Sequence, residues 1–498
     1  MKRRTSGVLL PLSSVYGEYA VGVMGKEARE FIDKIKDMGF SYWQVLPIGN
    51  TDSANSPYCS CSAFAGNLIY IDPRQLKDEY GLSDEDIKDN LYSGSCYTAD
   101  YQYAGEKRLS ALKKAFVNLT DAQKTAVRAF ADKNHHIKNY ALYMSLKDRF
   151  GLAPWWEWDD EYKIYNSAVS HTDKDDEDIF FRLFVQYEFY RQWNKLKKYA
   201  NEKGISILGD MPIYVSLDSA DVWSHTSLFE LEKDSLKPKK VAGVPPDYFS
   251  EDGQLWGNPI YDWAEMEKED YKWWIDRLRF ALEIYDMVRI DHFRAFASYW
   301  EVDADAETAK NGKWVEGPGM KLFNRVKEEI ENPSIVAEDL GTFGEDVIKL
   351  LEDTKFPGMR VIQFGFDPCG DSTHLPHNYS ENCIAYVGTH DNNTLLGWLY
   401  DASEDERKFA LDYCGYKGDR WGDGGYHSES CRSIIETVWK SSAKLSMIAF
   451  QDMCGFGNDA RMNIPGTDKG NWLYRAGKDA IDNVDSSYYR HINSLFRR

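Results

Sequence analysis

The sequence is short of several things, and each shortage removes a class of function. Positive charge is scarce: 60 Lys and Arg stand against 80 Asp and Glu, a net charge of −20 over 498 residues. Nucleic acid and anionic lipid both demand basic patches, so neither is expected as a partner. Cysteine is sparse, with eight in the chain, and only Cys59 and Cys61 stand close together. That leaves no zinc spacing and no disulfide framework, so reduced thiols and no metal or cofactor are expected. No apolar run is long enough to span a membrane. Met1-Lys2-Arg3-Arg4 before Gly7 to Leu12 imitates a signal peptide, but Ser13, Ser14, Tyr16 and Glu18 break the run. The expectation is a cytoplasmic protein, monomeric or a weak homo-oligomer, acting on a neutral substrate. Repeats and low-complexity segments are missing too.

What is present begins with aromatics, at 14% with 16 Trp and 32 Tyr. Packing accounts for most of them. Others suit sugar rings, whose C–H faces lie on aromatic planes. Eight short apolar, β-rich runs follow one another at 7–12, 42–48, 205–215, 287–291, 334–338, 359–366, 383–388 and 446–451. Helical patterns lie between most of them. Ala28, Phe31, Ile32, Ile35 and Met38 share one helical face before Gly39, and Ile179, Leu183, Phe184, Tyr187, Trp193 and Leu196 share another before Gly204. Eight strands alternating with helices predict an α/β fold, a (β/α)8 TIM barrel with its active site at the strand C-terminal ends. One catalytic barrel over 1–498 is expected, with no C-terminal β-sandwich domain. The spacing is uneven, which predicts a mostly helical subdomain inserted at 50–200 between strands 2 and 3. It also predicts a long strand 3 to 4 connection at 216–272, carrying an active-site loop over 243–258.

Three of the strand runs end in acids: Arg289-Ile290-Asp291-His292, Ala337-Glu338-Asp339 and Thr389-His390-Asp391-Asn392. Arg289 and Asp291 are two apart and share a strand face, so the guanidinium is expected to lower the carboxyl's pKa and keep it ionised. Taken alone, the pair reads equally as a structural ion pair. Glu338 suits a general acid if burial or a neighbouring carboxylate raises its pKa, and otherwise a helix-terminal acid. Asp391 suits stabilisation of positive charge, and otherwise an Asx turn. Three acids at one barrel mouth favour glycosidic chemistry, which needs acid, nucleophile and cation stabilisation together.

Further motifs carry a resemblance. They include Ser56-Pro57-Tyr58, Ser62-Ala63-Phe64-Ala65-Gly66-Asn67, Gly209-Asp210-Met211-Pro212-Ile213-Tyr214-Val215, Gly243-Val244-Pro245-Pro246-Asp247, Gln254-Leu255-Trp256-Gly257-Asn258-Pro259, His377-Asn378-Tyr379 and Ala460-Arg461-Met462-Asn463-Ile464-Pro465-Gly466-Thr467. With the three acid motifs, these resemble glycoside hydrolase family 77, the 4-α-glucanotransferases or amylomaltases of the α-amylase clan, over almost the whole chain. The resemblance implies retaining transfer of α-1,4-glucan segments from a malto-oligosaccharide, starch or glycogen-derived donor to the 4-hydroxyl of glucose or another glucan. It implies Asp291 as nucleophile, Glu338 as acid/base and Asp391 as transition-state stabiliser. Arg289 would partner the nucleophile, and His390 and His292 would bind sugar hydroxyls. Tyr58 would be a sugar platform, and Asp247, Gln254 and Trp256 would be loop residues over the cleft. The third strand lacks the Asn and His of amylases proper, so no structural calcium is expected. The chain departs from the family in having Cys59 where Gln is usual, Cys61 where an apolar residue is common, and no His before Pro11. Contacts near Tyr58 are therefore expected to differ. Two other readings remain open here: an α-glucan hydrolase of the clan, and a non-catalytic glucan-binding protein.

Overall fold

Each of the eight apolar runs overlaps a strand in the computed structural model, which describes residues 4–173, 176–246, 251–341 and 344–498. They are β1 (Thr5–Leu9), β2 (Tyr42–Gln44), β3 (Ser206–Met211), β4 (Met287–Ile290), β5 (Ile335–Ala337), β6 (Gly358–Val361), β7 (Cys383–Tyr386) and β8 (Leu445–Ala449). All are parallel, in the order β6-β7-β8-β1-β2-β3-β4-β5. This is the expected barrel. The strands are shorter than the runs because the chain turns at their C-terminal ends, and those turns carry the acids. β5 and β6 share no ladder, but the Ala337 N–H donates to the Pro357 carbonyl across the seam at 3.0 Å.

Period-two alternation divides the strand side chains. Leu9, Leu208, Val336, Met359, Tyr386 and Met447 form one buried cluster, the barrel interior. Val8, Trp43, Ile207, Val288 and Ile290 belong to the larger core under the surrounding helices. The helix Lys26–Asp37 turns Ala28, Phe31, Ile32 and Ile35 into that core. Gly39 follows it at φ 86°, a left-handed position that glycine takes without a Cβ clash.

Between β2 and β3 the described residues include the helices Tyr101–Val117, Asp121–Lys133, His135–Arg149 and Glu177–Glu202, the last packing on His135–Arg149 and on β3. A second sheet was not anticipated. It is antiparallel, in the order Gln254–Pro259, Lys240–Val244, Ser298–Asp303, Lys313–Glu316. The segment read as a loop over 243–258 thus begins and ends in strands. Gly243, Gly257 and Pro259 hid them, and the pairing partner Ser298–Asp303 comes from beyond β4. Because its strands leave the C-terminal ends of β3 and β4, this sheet borders the barrel mouth. After β8 come a short helix, a long loop and two terminal helices, the last Ser486–Leu495. Asn493 there donates to the Met38 carbonyl at 2.9 Å and accepts from Ser6 Oγ at 2.6 Å.

The third strand comes very close to its outer neighbour. A Cβ on Gly209 would lie 2.2 Å from the ring of Tyr285, itself 4% exposed. Gly209→Ala should therefore cost about 1–3 kcal/mol by overpacking. The check is the urea midpoint, which should fall; an unchanged midpoint would contradict this packing.

Candidate active site

The site is built on a charge placed inside the barrel. Arg289, on β4, is 3% exposed and donates from Nη1 to both carboxylate oxygens of Asp210 on β3, at 2.8 and 2.7 Å. The two residues are register partners across the parallel ladder, which is why they meet. Nη2 of the same guanidinium reaches Asp291 Oδ1 at 2.9 Å, and Nε faces Met359 Sδ at 3.3 Å. Two carboxylates thus compensate the charge that Arg289 carries into the barrel.

Asp210 then extends the network. Tyr58 donates its hydroxyl to Asp210 Oδ2 at 2.9 Å and meets His390 Nε2 at 2.8 Å. His390 Nε2 lies 3.3 Å from Asp391 Oδ2, and Asn463 donates to Asp391 Oδ1 at 2.7 Å. Arg461 holds the Asp391 carbonyl at 3.0 Å. The Tyr58 and His390 rings stack with centroids 5.2 Å apart, and Trp472 leans on both.

Glu338 is fixed differently. The His292 N–H donates to its Oε2 at 2.7 Å and the Leu340 N–H to its Oε1 at 2.6 Å. One lone pair on each oxygen is thus used, and the others remain for a proton. His292 can turn its amide this way because its backbone is left-handed, at φ 51°.

The electrostatics separate the three acids. Burial raises Glu338 to about 7, with Arg289 pulling down and Asp291 pushing up. Burial opposes the charge on Asp391 as well, yet His390 and the Asn463 amide hold it well below the usual carboxylate range. Asp291 corrects the expectation drawn from its neighbour. Arg289 does touch it, but burial and the carboxylates of Asp210 and Asp391 leave it above the ordinary range. Arg289 is shared with Asp210, so its charge is not Asp291's alone.

A carboxyl that titrates near neutrality beside a second one, at the mouth of a parallel barrel, suits glycosidic bond chemistry. Residues 10–479 match the model of glycoside hydrolase family 77, described as 4-alpha-glucanotransferase. The chain is 42% identical over 494 residues to a 4-alpha-glucanotransferase of Clostridium butyricum, covering 98% of this chain and 99% of that one. A 4-alpha-glucanotransferase of Aquifex aeolicus is also 42% identical, over 480 residues and 96% of each chain. The chain belongs to the 4-alpha-glucanotransferase family.

Its fold agrees with that membership. The amylomaltase of Streptococcus agalactiae in complex with acarbose superposes with a TM-score of 0.94 at 37% identity, covering 100% of both chains. As a family 77 enzyme the chain catalyses 4-α-glucan transfer. Of the residues singled out in the sequence, Asp291, Arg289, Tyr58, His390 and Asp391 form one chain of contacts that runs through Asp210, while Glu338 is held separately by the His292 and Leu340 amides. His292 meets the Trp256 ring edge-on at 4.8 Å, and Gln254 accepts from the Trp256 indole at 3.2 Å. Burial and Arg294 push His292 down to about 3, so it is a neutral hydrogen-bonding group. Asp247 lies outside the described residues.

The transferase departures near Tyr58 have little reach. Cys59 is exposed, and Cys61 turns away to Asn50 and Met144, at 3.2 and 3.9 Å. Burial pushes the Cys61 thiol up to about 11. Tyr58 takes its polar contacts from Asp210 and His390 instead. Asp210, Arg461, Asn463 and Trp472 had no assigned place in the sequence reading. Asp210 had a signal, since an acid inside a strand on the face of Leu208 must point into the barrel. The other three are supplied by the loop after β8, and only the fold brings Arg461 and Asn463 to Asp391 and Trp472 to the Tyr58 and His390 rings.

Glu338 gives a linkage test. Its folded pKa of about 7 lies above that of an unfolded Glu, so its stabilising share is complete below about pH 4.5 and lost as pH rises through 7. The stability of Glu338→Gln relative to the parent should thus swing in the variant's favour by about 2–3 kcal/mol between pH 5 and pH 8. Parallel stability curves in denaturant titrations at the two pH values would contradict the shift.

Proposed function

We propose that this transferase works by double displacement with retention, with Asp291 as nucleophile, Glu338 as acid then base, and Asp391 as stabiliser of the developing cation. Glu338 gives its proton to the glycosidic oxygen while Asp291 attacks the anomeric carbon. The bond to the reducing-end fragment breaks, and an ester between C1 and Asp291 forms. The 4-hydroxyl of an acceptor then gives its proton to Glu338, attacks C1 and releases Asp291. Asp391 acts most when positive charge develops, so its effect belongs to the transition state. Arg289 limits the rise in the Asp291 pKa and so favours the ionised nucleophile.

The observation that supports this reading best is the separation of two carboxyl groups at the barrel mouth, Glu338 near 7 and Asp391 well below its usual range. Tyr58, His390 and Trp472 offer ring faces and hydroxyl partners for the sugar at the cleavage point. His292, Trp256, Gln254 and, by resemblance, Asp247 serve the next units. Donors are malto-oligosaccharides or longer α-1,4-glucans from starch or glycogen, and glucose is the smallest acceptor. The enzyme acts as a monomer or weak homo-oligomer. Binding the acceptor on aromatic faces gives it an effective concentration that lets sugar compete with water.

Incubation with maltotriose should yield glucose and longer oligomers with no net gain of reducing ends. A steady rise in reducing ends would mean hydrolysis instead. Asp291→Asn should lower the rate by at least about 10³-fold. In the parent, kcat/KM should fall as pH rises through about 7, because Glu338 loses the proton it must donate. A fully active Asp291→Asn, or a flat profile between pH 6 and 8, would contradict the assignments.

A further inference from the structure

The barrel has one seam, and the residue after Glu338 closes it. β5 and β6 stand at the two ends of the sheet order and share no ladder. Where ladder bonds are missing, Asp339 supplies a substitute. Its Oδ1 accepts from the Met359 N–H at 2.5 Å, and its Oδ2 from Arg360 Nη1 at 2.8 Å. Arg360 Nη1 also donates to the carbonyl of its neighbour Met359 at 2.5 Å, which fixes the guanidinium that Asp339 binds across the seam. The carboxylate is 1% exposed. Gly358 makes room for it, since a Cβ there would lie 2.5 Å from Asp339 Oδ2.

The consequence falls on Glu338. Its own peptide is tied to the β4 side, through Glu338 N–H to the Ile290 carbonyl at 3.0 Å and Phe293 N–H to the Glu338 carbonyl at 3.1 Å. On the β6 side, Asp339 adds a side-chain hold to the Ala337–Pro357 bond. Met359, which Asp339 grips, also faces Arg289 Nε with its sulfur. A shift of this seam would move Glu338 relative to Asp291 without altering either carboxyl.

We propose that Asp339 is a positioning residue for the proton donor: its carboxylate stands in for the missing β5–β6 ladder and holds Glu338 at the distance from the glycosidic oxygen that proton transfer needs. The inference rests on Glu338 being the acid. Misplacement by about 1 Å in a reacting group costs up to about 10²-fold.

The test compares two donors that differ in their need for a proton. Maltotriose requires protonation of its leaving sugar. α-Maltotriosyl fluoride does not, because C1–F breaks to a stable fluoride ion as the C1–Asp291 bond forms. Asp339→Ala should lower kcat for maltotriose by about 10–100-fold with KM changed less than about threefold, while single-turnover fluoride release changes less than about threefold. Asp339→Asn keeps an acceptor for Met359 but loses the ion pair, and should show the same selective loss at about 3–10-fold. It carries the test if the Ala variant does not fold. Equal losses with both donors, or no loss with maltotriose, would overturn the proposal. Glu338→Gln is measured alongside. If it fails to discriminate between the donors, the acid assignment itself falls; if it discriminates and the Asp339 variants do not, only the positioning role falls.

Discussion

A guanidinium buried inside the barrel is the constraint on which the site depends. Arg289 cannot remain there as a charge without partners, because an unpaired buried ion costs several kcal/mol. Asp210 takes one side of it with both oxygens and Asp291 takes the other. Since Asp210 is held by Arg289, it can accept the Tyr58 hydroxyl in a fixed direction, and Tyr58 in turn faces His390, which lies against Asp391. One cation inside the strands thus sets the positions of two acids at the mouth, one just after β4 and one after β7. Glu338 is held by backbone amides instead, one of them available because His292 adopts a left-handed conformation.

This division has a chemical consequence. The network around Arg289 and His390 is ionic, whereas the donors on Glu338 are neutral N–H groups with burial working against them. Glu338 and Asp391 therefore separate in pKa though both stand at the barrel mouth. The separation lets one mouth supply a proton donor and an anion at the same pH. Asp291 stands between these regimes, drawn up by burial and down by Arg289. Substrate entry, which changes the charge and water around it, would decide its final state.

Much of this was legible in the chain. Short apolar runs separated by helical periodicity located all eight strands, and acids at three run ends located the mouth. The limits have physical reasons. The second sheet pairs segments on either side of β4, and non-local pairing leaves little trace in a local pattern of Gly and Pro. Asn463 and Arg461 reach Asp391 from about 70 positions away, a meeting that topology alone creates. The pKa direction of Asp291 was misread because a two-residue spacing reveals one partner of Arg289 and not the other. Asp210 was present in a quoted motif, and its strand face alone would have marked it as buried.

The central claim is that the Arg289-bound carboxyl of Asp291 forms the covalent intermediate. The direct measurement is intact-protein and peptide mass after brief exposure of Glu338→Gln to α-maltosyl fluoride, with the second step slowed by loss of the base. The account predicts one maltosyl unit per chain, located at Asp291. A label on Asp391, on Asp210, or on no residue while fluoride is released, would contradict it.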